Sequence, residues 1–380
     1  MKPILEVNQV HKAFGSTNIL NGISFRMEEG ERICLLGPSG CGKSTLLQLV
    51  AGLLPTDDGE IIMDGVKVSG RGSSVAPESR PVNMVFQDYA LWPHMSVREN
   101  IAYGMKRRKV AAAEREARLA SLAKLLQLEG LLSRVPAELS GGQQQRVGIA
   151  RALATEPRIL LMDEPLSNLD VKLRAEMRNE LAAMLSELSI TTLYVTHDLM
   201  EAFALADRIL VLHGGAIEQI AAPRDMYEAP ATPWVAELMG YHNRLTGTVV
   251  ALEGDEAVIQ CGDQKIRGML SADPGCQPAL DSQAAVMLHM ESLRLAAVEE
   301  DAAVDISAAN AGNLLCVIVR RAIYEGERWR CLLATRDGQL LEGFLSEAPE
   351  LGSEVAVVMP CHRTRVYALE PSRQLAGAAT

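Results

Sequence analysis

Residues 37–45 read Gly-Pro-Ser-Gly-Cys-Gly-Lys-Ser-Thr, and they carry the first chemistry in the chain. Gly37, Gly42, Lys43 and Ser44 fit the spacing G-x-x-x-x-G-K-[ST]. Glycines let such a loop curl until its N–H groups point inward at phosphate oxygens. A helix that follows turns its positive end to the same phosphates. The Lys43 ammonium then suits the β- and γ-phosphates, and the Ser44 hydroxyl suits Mg²⁺. The flanks agree with this reading. Ile33 to Leu36 is an apolar run expected to be a buried strand. Leu46, Leu47, Val50 and Leu54 recur at helical spacing until Pro55. The whole loop, with Pro38, Ser39, Gly40, Cys41 and Thr45, is therefore a candidate nucleotide site. Cys41 lies two residues before Lys43 at a helix entrance. Both neighbours favour thiolate, so a reactive Cys41 is expected.

Further stretches carry chemistry. "RILLMDEP" (158–165) is an apolar strand ending in Asp163 and Glu164. Asp163 suits a hold on Mg²⁺, and Glu164 suits polarisation of a water nucleophile. "LSGGQQQR" (139–146) sets Ser140 as an N-cap before Gly141, Gly142 and Gln143. That is a second phosphate-binding geometry in one domain. One nucleotide does not readily use both loops of a single chain. "SNLD" (167–170) follows the acidic strand, and "YVTHD" (194–198) ends another strand with His197.

This set, in this order, closely resembles the ATP-binding subunits of ABC transporters, across roughly residues 1–235. The resemblance implies hydrolysis of ATP with Mg²⁺, and a dimer of two copies with nucleotide between them. In that dimer the Ser140–Gln143 loop of one copy covers the γ-phosphate held by Lys43 of the other. It implies that Gln87 in "MVFQD" senses the γ-phosphate and Mg²⁺. It implies that His197 contacts the γ-phosphate and that Asp170 communicates between sites. Phe14 in "HKAFG" falls where an aromatic stacks on adenine; that position is often Tyr. "DYALWPHMSVRENIAYGM" (88–105) opens the part that, in the family, receives a transmembrane partner. Trp92 lies within it and reads equally well as core.

The whole chain bounds the rest. It has 380 residues and a formal net charge of −11, which argues against nucleic acid as the main ligand. No apolar run reaches the ~18–20 residues of a membrane span. The start lacks a signal peptide's apolar core, so the expected location is the cytoplasmic face of the membrane. Seven cysteines show no C-x-x-C pair and read as reduced thiols. Before residue 235, apolar strands alternate with helical patterns, which indicates an α/β fold. After it come short alternating runs with hairpin signals at Gly262-Asp263 and Asp337-Gly338, an all-β module. "AVMLHMESLRLAA" (285–297) and "AVVMPCHRTRVYA" (356–368) lie 71 residues apart and suggest a duplication. The expected division is a nucleotide-binding domain over 1–237, with a helical subdomain near 88–157, then a β domain over 241–380 built from two units.

Such a β extension resembles the OB-like (TOBE) regulatory domain of bacterial importer ATPases for spermidine/putrescine, ferric iron, sulfate and sugars. "VFQDYALWPHMSVRENIAYGM" and "VTHDLMEAFALADRILVL" look most like the polyamine and ferric-iron branch. The resemblance implies two transmembrane permease subunits and, indirectly, a periplasmic solute-binding protein as partners. The alternatives are a sulfate or sugar importer ATPase, and a soluble ABC ATPase unconnected with transport. The latter usually has two nucleotide domains or long insertions. A small-molecule P-loop kinase does not need LSGGQ. A non-hydrolysing relative would have lost Glu164 or His197.

Overall fold

The computed structural model describes residues 2–296, 312–347 and 349–369. The chain forms two compact units, Met1–Pro223 and Arg224–Thr380.

In the first unit a six-stranded sheet carries the order 216–221, 208–213, 32–36, 191–195, 159–163, 82–85. Its strands run parallel except for the edge strand Ala216–Ala221, which is antiparallel. The central strands are continuous apolar runs such as Ile-Leu-Leu-Met, because both faces are covered. A second, antiparallel sheet is built from Leu5–Phe14, Thr17–Met27, Asp58–Met63, Val66–Gly70 and Ser73–Ser74. One apolar cluster joins both sheets to the helix Lys43–Ala51; Val7, Ile23, Leu35, Leu46, Val50, Leu161 and Leu193 are fully buried in it. The helix is thereby held by its apolar face, while Ser44, Thr45 and Gln48 stay half-exposed. Helices Val97–Arg107, Ala112–Leu125 and Gly141–Leu153 make a helical layer. A full capping box starts the first of these, with Ser96 accepting from Glu99 N–H and Glu99 reaching back.

The second unit is rich in strands. Asn243–Glu253, Glu256–Cys261, Gln264–Leu270, Thr364–Ala368 and Gln283–Leu288 close a barrel. Arg294–Leu295, Glu354–Met359, Asn313–Tyr324, Trp329–Thr335 and Leu340–Leu345 form a five-stranded sheet. Both Gly-Asp and Asp-Gly signals fall between paired strands. The two stretches suggested as repeats are joined by cross-pairing of strands. Arg294–Leu295, within the first stretch (285–297), pairs with Glu354–Met359, which overlaps the second. Thr364–Ala368, which ends the second, pairs with Gln283–Leu288 of the first.

Four side-chain amides clasp the two halves in a pseudo-symmetric way. Asn243 donates to Glu342 O at 2.7 Å and accepts from its N–H at 2.6 Å. Asn313 does the same to Arg267 at 2.7 and 2.6 Å. Gln339 grips the backbone of Thr246, and Gln264 grips that of Cys316. Each amide imitates a peptide group and satisfies backbone that a strand neighbour does not. Helices Pro223–Glu228 and Pro233–Leu238 begin this unit's packing: Tyr241 OH donates to Tyr227 O, and Tyr367 OH to Pro230 O.

Candidate active site

The residues with chemistry gather at the carboxyl ends of the parallel strands, where open α/β sheets place ligands. Residues 37–45 follow Arg32–Leu36; Gln87 follows Val82–Val85; Asp163 ends Ile159–Asp163; His197 follows Thr191–Val195. The order of these strands in the sheet sets the loops side by side.

The Gly37–Thr45 loop needs its glycines. Gly37 has φ 156°, and a Cβ there would lie 2.2 Å from Leu212 O and 2.9 Å from Cys41 Sγ. Gly42 has φ 103°, and a Cβ there would press on Leu20 at 2.6 Å. Gly42 is the N-cap of the helix Lys43–Ala51 and offers no side-chain cap, so the helix's first N–H groups stay available. The Lys43 ammonium donates to Gly37 O at 2.8 Å and Pro38 O at 3.0 Å, so it lies along the rim of the loop. Cys41 differs from its expectation. Its side chain is buried beside Gly37, and burial pushes its thiol up. Lys43 and backbone N–H groups pull the other way with smaller effect. Desolvation of a thiolate outweighs one nearby cation here.

Ser44 Oγ donates to Asp163 Oδ1 at 2.9 Å. Partial burial raises the Asp163 carboxyl above its usual range, with Glu164 adding to this and Ser44 and Lys43 opposing it. A hydroxyl and a desolvated carboxylate side by side are hard oxygen donors that fit Mg²⁺. Glu164 sits at φ 44°, in the left-handed region that a non-glycine residue avoids at a cost of about 1–2 kcal/mol. Its N–H donates to Val195 O at 3.1 Å, and Ser167 Oγ donates to its carbonyl at 2.8 Å. That bend turns its carboxylate toward His197, whose Nδ1 lies 3.1 Å from Glu164 Oε2. An ionised carboxylate only accepts, so the imidazole presents Nδ1–H to it and its other nitrogen outward.

Gln87 joins the same cluster: its Nε2 donates to Ser167 Oγ at 3.3 Å, and Asn168 Nδ2 donates to its carbonyl at 2.9 Å. Ser167 is thus the link between Gln87 and Glu164. Its place in "SNLD" was visible in the sequence, but its partners were not. Asp170 caps the helix Val171–Leu188, accepting from Leu173 N–H at 3.0 Å. Phe14 ends its strand half-exposed at 49%, with the Lys12 ammonium 5.5 Å from the ring centroid. An exposed aromatic at that position is free to stack on a base.

Ser140 lies apart from this cluster. It caps Gly141–Leu153 in a box with Gln143, and it is exposed. Gly141 and Gly142 pack toward Leu169, Leu173 and Met177. No hydrogen bond joins Ser140–Gln143 to residues 37–45 or to Glu164 among the described residues. Beyond Gln87, Tyr89 and Ala90 are both left-handed, and Arg151 donates to both of their carbonyls. The Arg151 guanidinium also covers Trp92, whose ring meets Tyr103 at 4.3 Å. Ala90, Trp92, Tyr103 and Arg151 line a cavity of about 390 Å³ together with Phe86. Trp92 is half-buried there.

The family described as ABC transporter matches residues 20–167. A spermidine/putrescine import ATP-binding protein PotA of Rubrobacter xylanophilus is 39% identical over 88% of this chain and 84% of its own. The protein of the same name from Chromobacterium violaceum is 47% identical over 72% of this chain and 76% of its own. Among solved structures, cbiO1 from Clostridium perfringens, part of the ABC transporter complex cbiONQ, is 30% identical. It matches with a TM-score of 0.55 over 60% of this chain and 91% of its own. With its loop at 37–45, its acidic strand end at Asp163-Glu164 and these relatives along most of its length, the chain belongs to the ABC transporter family, as one of its ATP-binding, ATP-hydrolysing subunits.

Proposed function

We propose that this chain powers polyamine import: it hydrolyses ATP on behalf of a transporter that carries spermidine or putrescine. The observation that carries the reading is the set of relatives at 39–48% identity, whose printed function is spermidine/putrescine import. The site supports the hydrolytic half, because Lys43, Ser44, Asp163, Glu164 and His197 meet at adjacent strand ends.

The mechanism is positioning and electrostatics. The N–H groups of residues 37–45 and the Lys43 ammonium bind the phosphates. Phe14 stacks on the base. Ser44, Asp163 and Gln87 would hold Mg²⁺. Bound Mg²⁺ neutralises charge on the phosphate oxygens. Glu164 draws a proton from the attacking water, and His197 fixes the carboxylate while its outer nitrogen faces the γ-phosphate. The Ser140–Gln143 loop, exposed and apart from its own chain's cluster, closes the site of a second copy, and Asp170 stands at that junction. Two permease subunits take up the closing motion, and a periplasmic binding protein delivers the solute. The chain then works as a peripheral subunit on the cytoplasmic face of the membrane; no helix among the described residues is long and apolar enough to cross one.

Reconstitution in vesicles with candidate permeases and a polyamine-binding protein tests this. Spermidine or putrescine inside the vesicle lumen, with its binding protein, should stimulate ATP hydrolysis outside. Stimulation by ferric iron, sulfate or a sugar instead would reject the polyamine assignment and keep the ATPase one.

A further inference from the structure

The imidazole of His197 is half-exposed, and its one hydrogen-bond partner among the described residues is Glu164. Its position therefore depends on the backbone of residues 196–198. Directly behind that backbone lies an acid that the mechanism does not use. Glu201 is 3% exposed, on the first turn of the helix Leu199–Leu205. Tyr194 OH and Thr196 Oγ1 both donate to its Oε2, each at 2.8 Å. Tyr194 and Thr196 are themselves 1% and 2% exposed.

The remaining contacts close the loop into a knot. Asp198 N–H donates to Thr196 Oγ1 at 2.9 Å, so this hydroxyl both gives to Glu201 and receives from the residue after His197. Asp198 Oδ1 accepts from Met200 and Glu201 N–H at 2.7 and 3.1 Å, capping the helix that carries Glu201. Thr196 N–H donates to Leu35 O at 3.2 Å, which ties the same loop to the strand leading into Gly37. Two residues before His197 thus converge on one carboxyl oxygen, and Asp198 after it is tied in through the Thr196 hydroxyl.

We propose that Glu201 is a positioning residue for His197: by accepting from Tyr194 and Thr196 together, it fixes the loop that sets the imidazole against Glu164. A buried acid with no ion pair among the described residues is an expensive choice for a core position. Burial raises this carboxyl, and the two hydroxyls and the nearby Arg174 cation only partly oppose that. The role therefore rests on acceptor geometry rather than on charge. Glutamine offers an acceptor oxygen at the same place, and alanine offers none.

The test uses the full chain and steady-state ATP hydrolysis. Glu201→Ala should lower kcat by about 10-fold or more while KM for ATP stays within about 2-fold, the mark of an interaction needed after binding. Glu201→Gln should restore kcat to within about 3-fold of wild type. Thr196→Val keeps side-chain volume and should follow Glu201→Ala, which covers the case where the alanine variant fails to fold. The inference rests on the hydrolytic role of Glu164, so Glu164→Gln is measured in parallel. If Glu164→Gln stays active, that underlying role fails, whatever Glu201 does. Wild-type kcat in Glu201→Ala or Thr196→Val, equal losses in the Gln and Ala variants, or a rise in KM matching the loss in kcat would each overturn the proposal.

Discussion

Glu164 and His197 stand 33 residues apart in the chain, yet Oε2 and Nδ1 lie 3.1 Å apart. Strand register explains it. Asp163 pairs with Val195, so the residues just beyond each strand leave the sheet at the same level. The left-handed bend at Glu164 then turns one side chain toward the other.

Glu164→Gln should keep nucleotide affinity and slow hydrolysis by about 10²-fold or more, the scale of a lost general base. Glutamine can still accept from His197, so geometry is largely kept while basicity is gone. Single-turnover hydrolysis alongside nucleotide titration measures both quantities. Turnover at the wild-type rate would remove Glu164 from the reaction.

Asp163 carries a stability cost as well as a role. Burial raises its carboxyl above 3.8 in the folded chain, so the folded state holds this proton more tightly than the unfolded one. Stability then falls as pH rises from 3.8 through the raised value, and the cost is constant above it. Asp163→Asn removes the charge and keeps a partner for Ser44. Without nucleotide it should melt higher than wild type at neutral pH, with the difference closing as the pH is brought below 3.8. Thermal unfolding across that range measures it. A lower melting temperature at neutral pH would contradict the account.

Much of this site could be read from residues alone, because its groups follow strands in short local motifs. Lys43 and Ser44 come straight after Gly42, and Asp163-Glu164 ends an apolar run. Partners that are distant in sequence left no such trace. Gln87 and Ser167 are 80 residues apart, and Thr246 and Gln339 are 93 apart; a lone Ser or Gln has no periodic signature. In the β unit, the pairing of Arg294–Leu295 with Glu354–Met359 and of Thr364–Ala368 with Gln283–Leu288 could not be read from the residues. Cys41 shows the limit of local chemistry. Its neighbours argued for thiolate, and its burial pushes the thiol the other way.

The exposed Ser140 loop should act on a second copy. Ser140→Arg leaves residues 37–45 untouched, because no hydrogen bond connects them, so binding of one nucleotide per chain should persist. The bulky side chain would occupy the space of the opposite γ-phosphate. Mixed with Glu164→Gln chains, it should give dimers with at most one occluded nucleotide, counted with radiolabelled ATP. Two occluded nucleotides in the mixed dimer would refute closure in trans.

Arg80 offers a test of how the phosphate loop is held from behind. It is 2% exposed and has no carboxylate partner among the described residues. Its guanidinium donates instead to five oxygens: Leu49 O, Val50 O, Val68 O, Val75 O and Ser74 Oγ, at 2.8–3.1 Å. Leu49 and Val50 belong to the last turn of the helix that begins at Lys43, and that turn has no basic residue of its own. Arg80 therefore supplies the cation that a helix C-terminus favours, and it pins the helix to the strand Val66–Gly70. A Cβ on Gly52 would stand 2.5 Å from Arg80 Nε, which explains glycine there. Burial draws the guanidinium below its usual range without neutralising it. Arg80→Met fills similar volume and leaves buried carbonyls unpaired at about 1–3 kcal/mol each. Hydrogen exchange along Lys43–Ala51 should accelerate by about 10²-fold, the equivalent of about 3 kcal/mol. Arg80→Lys should rescue only in part, since three donors cannot reach five acceptors in a planar fork. Unchanged exchange in the methionine variant would show that the helix is held by its apolar packing alone.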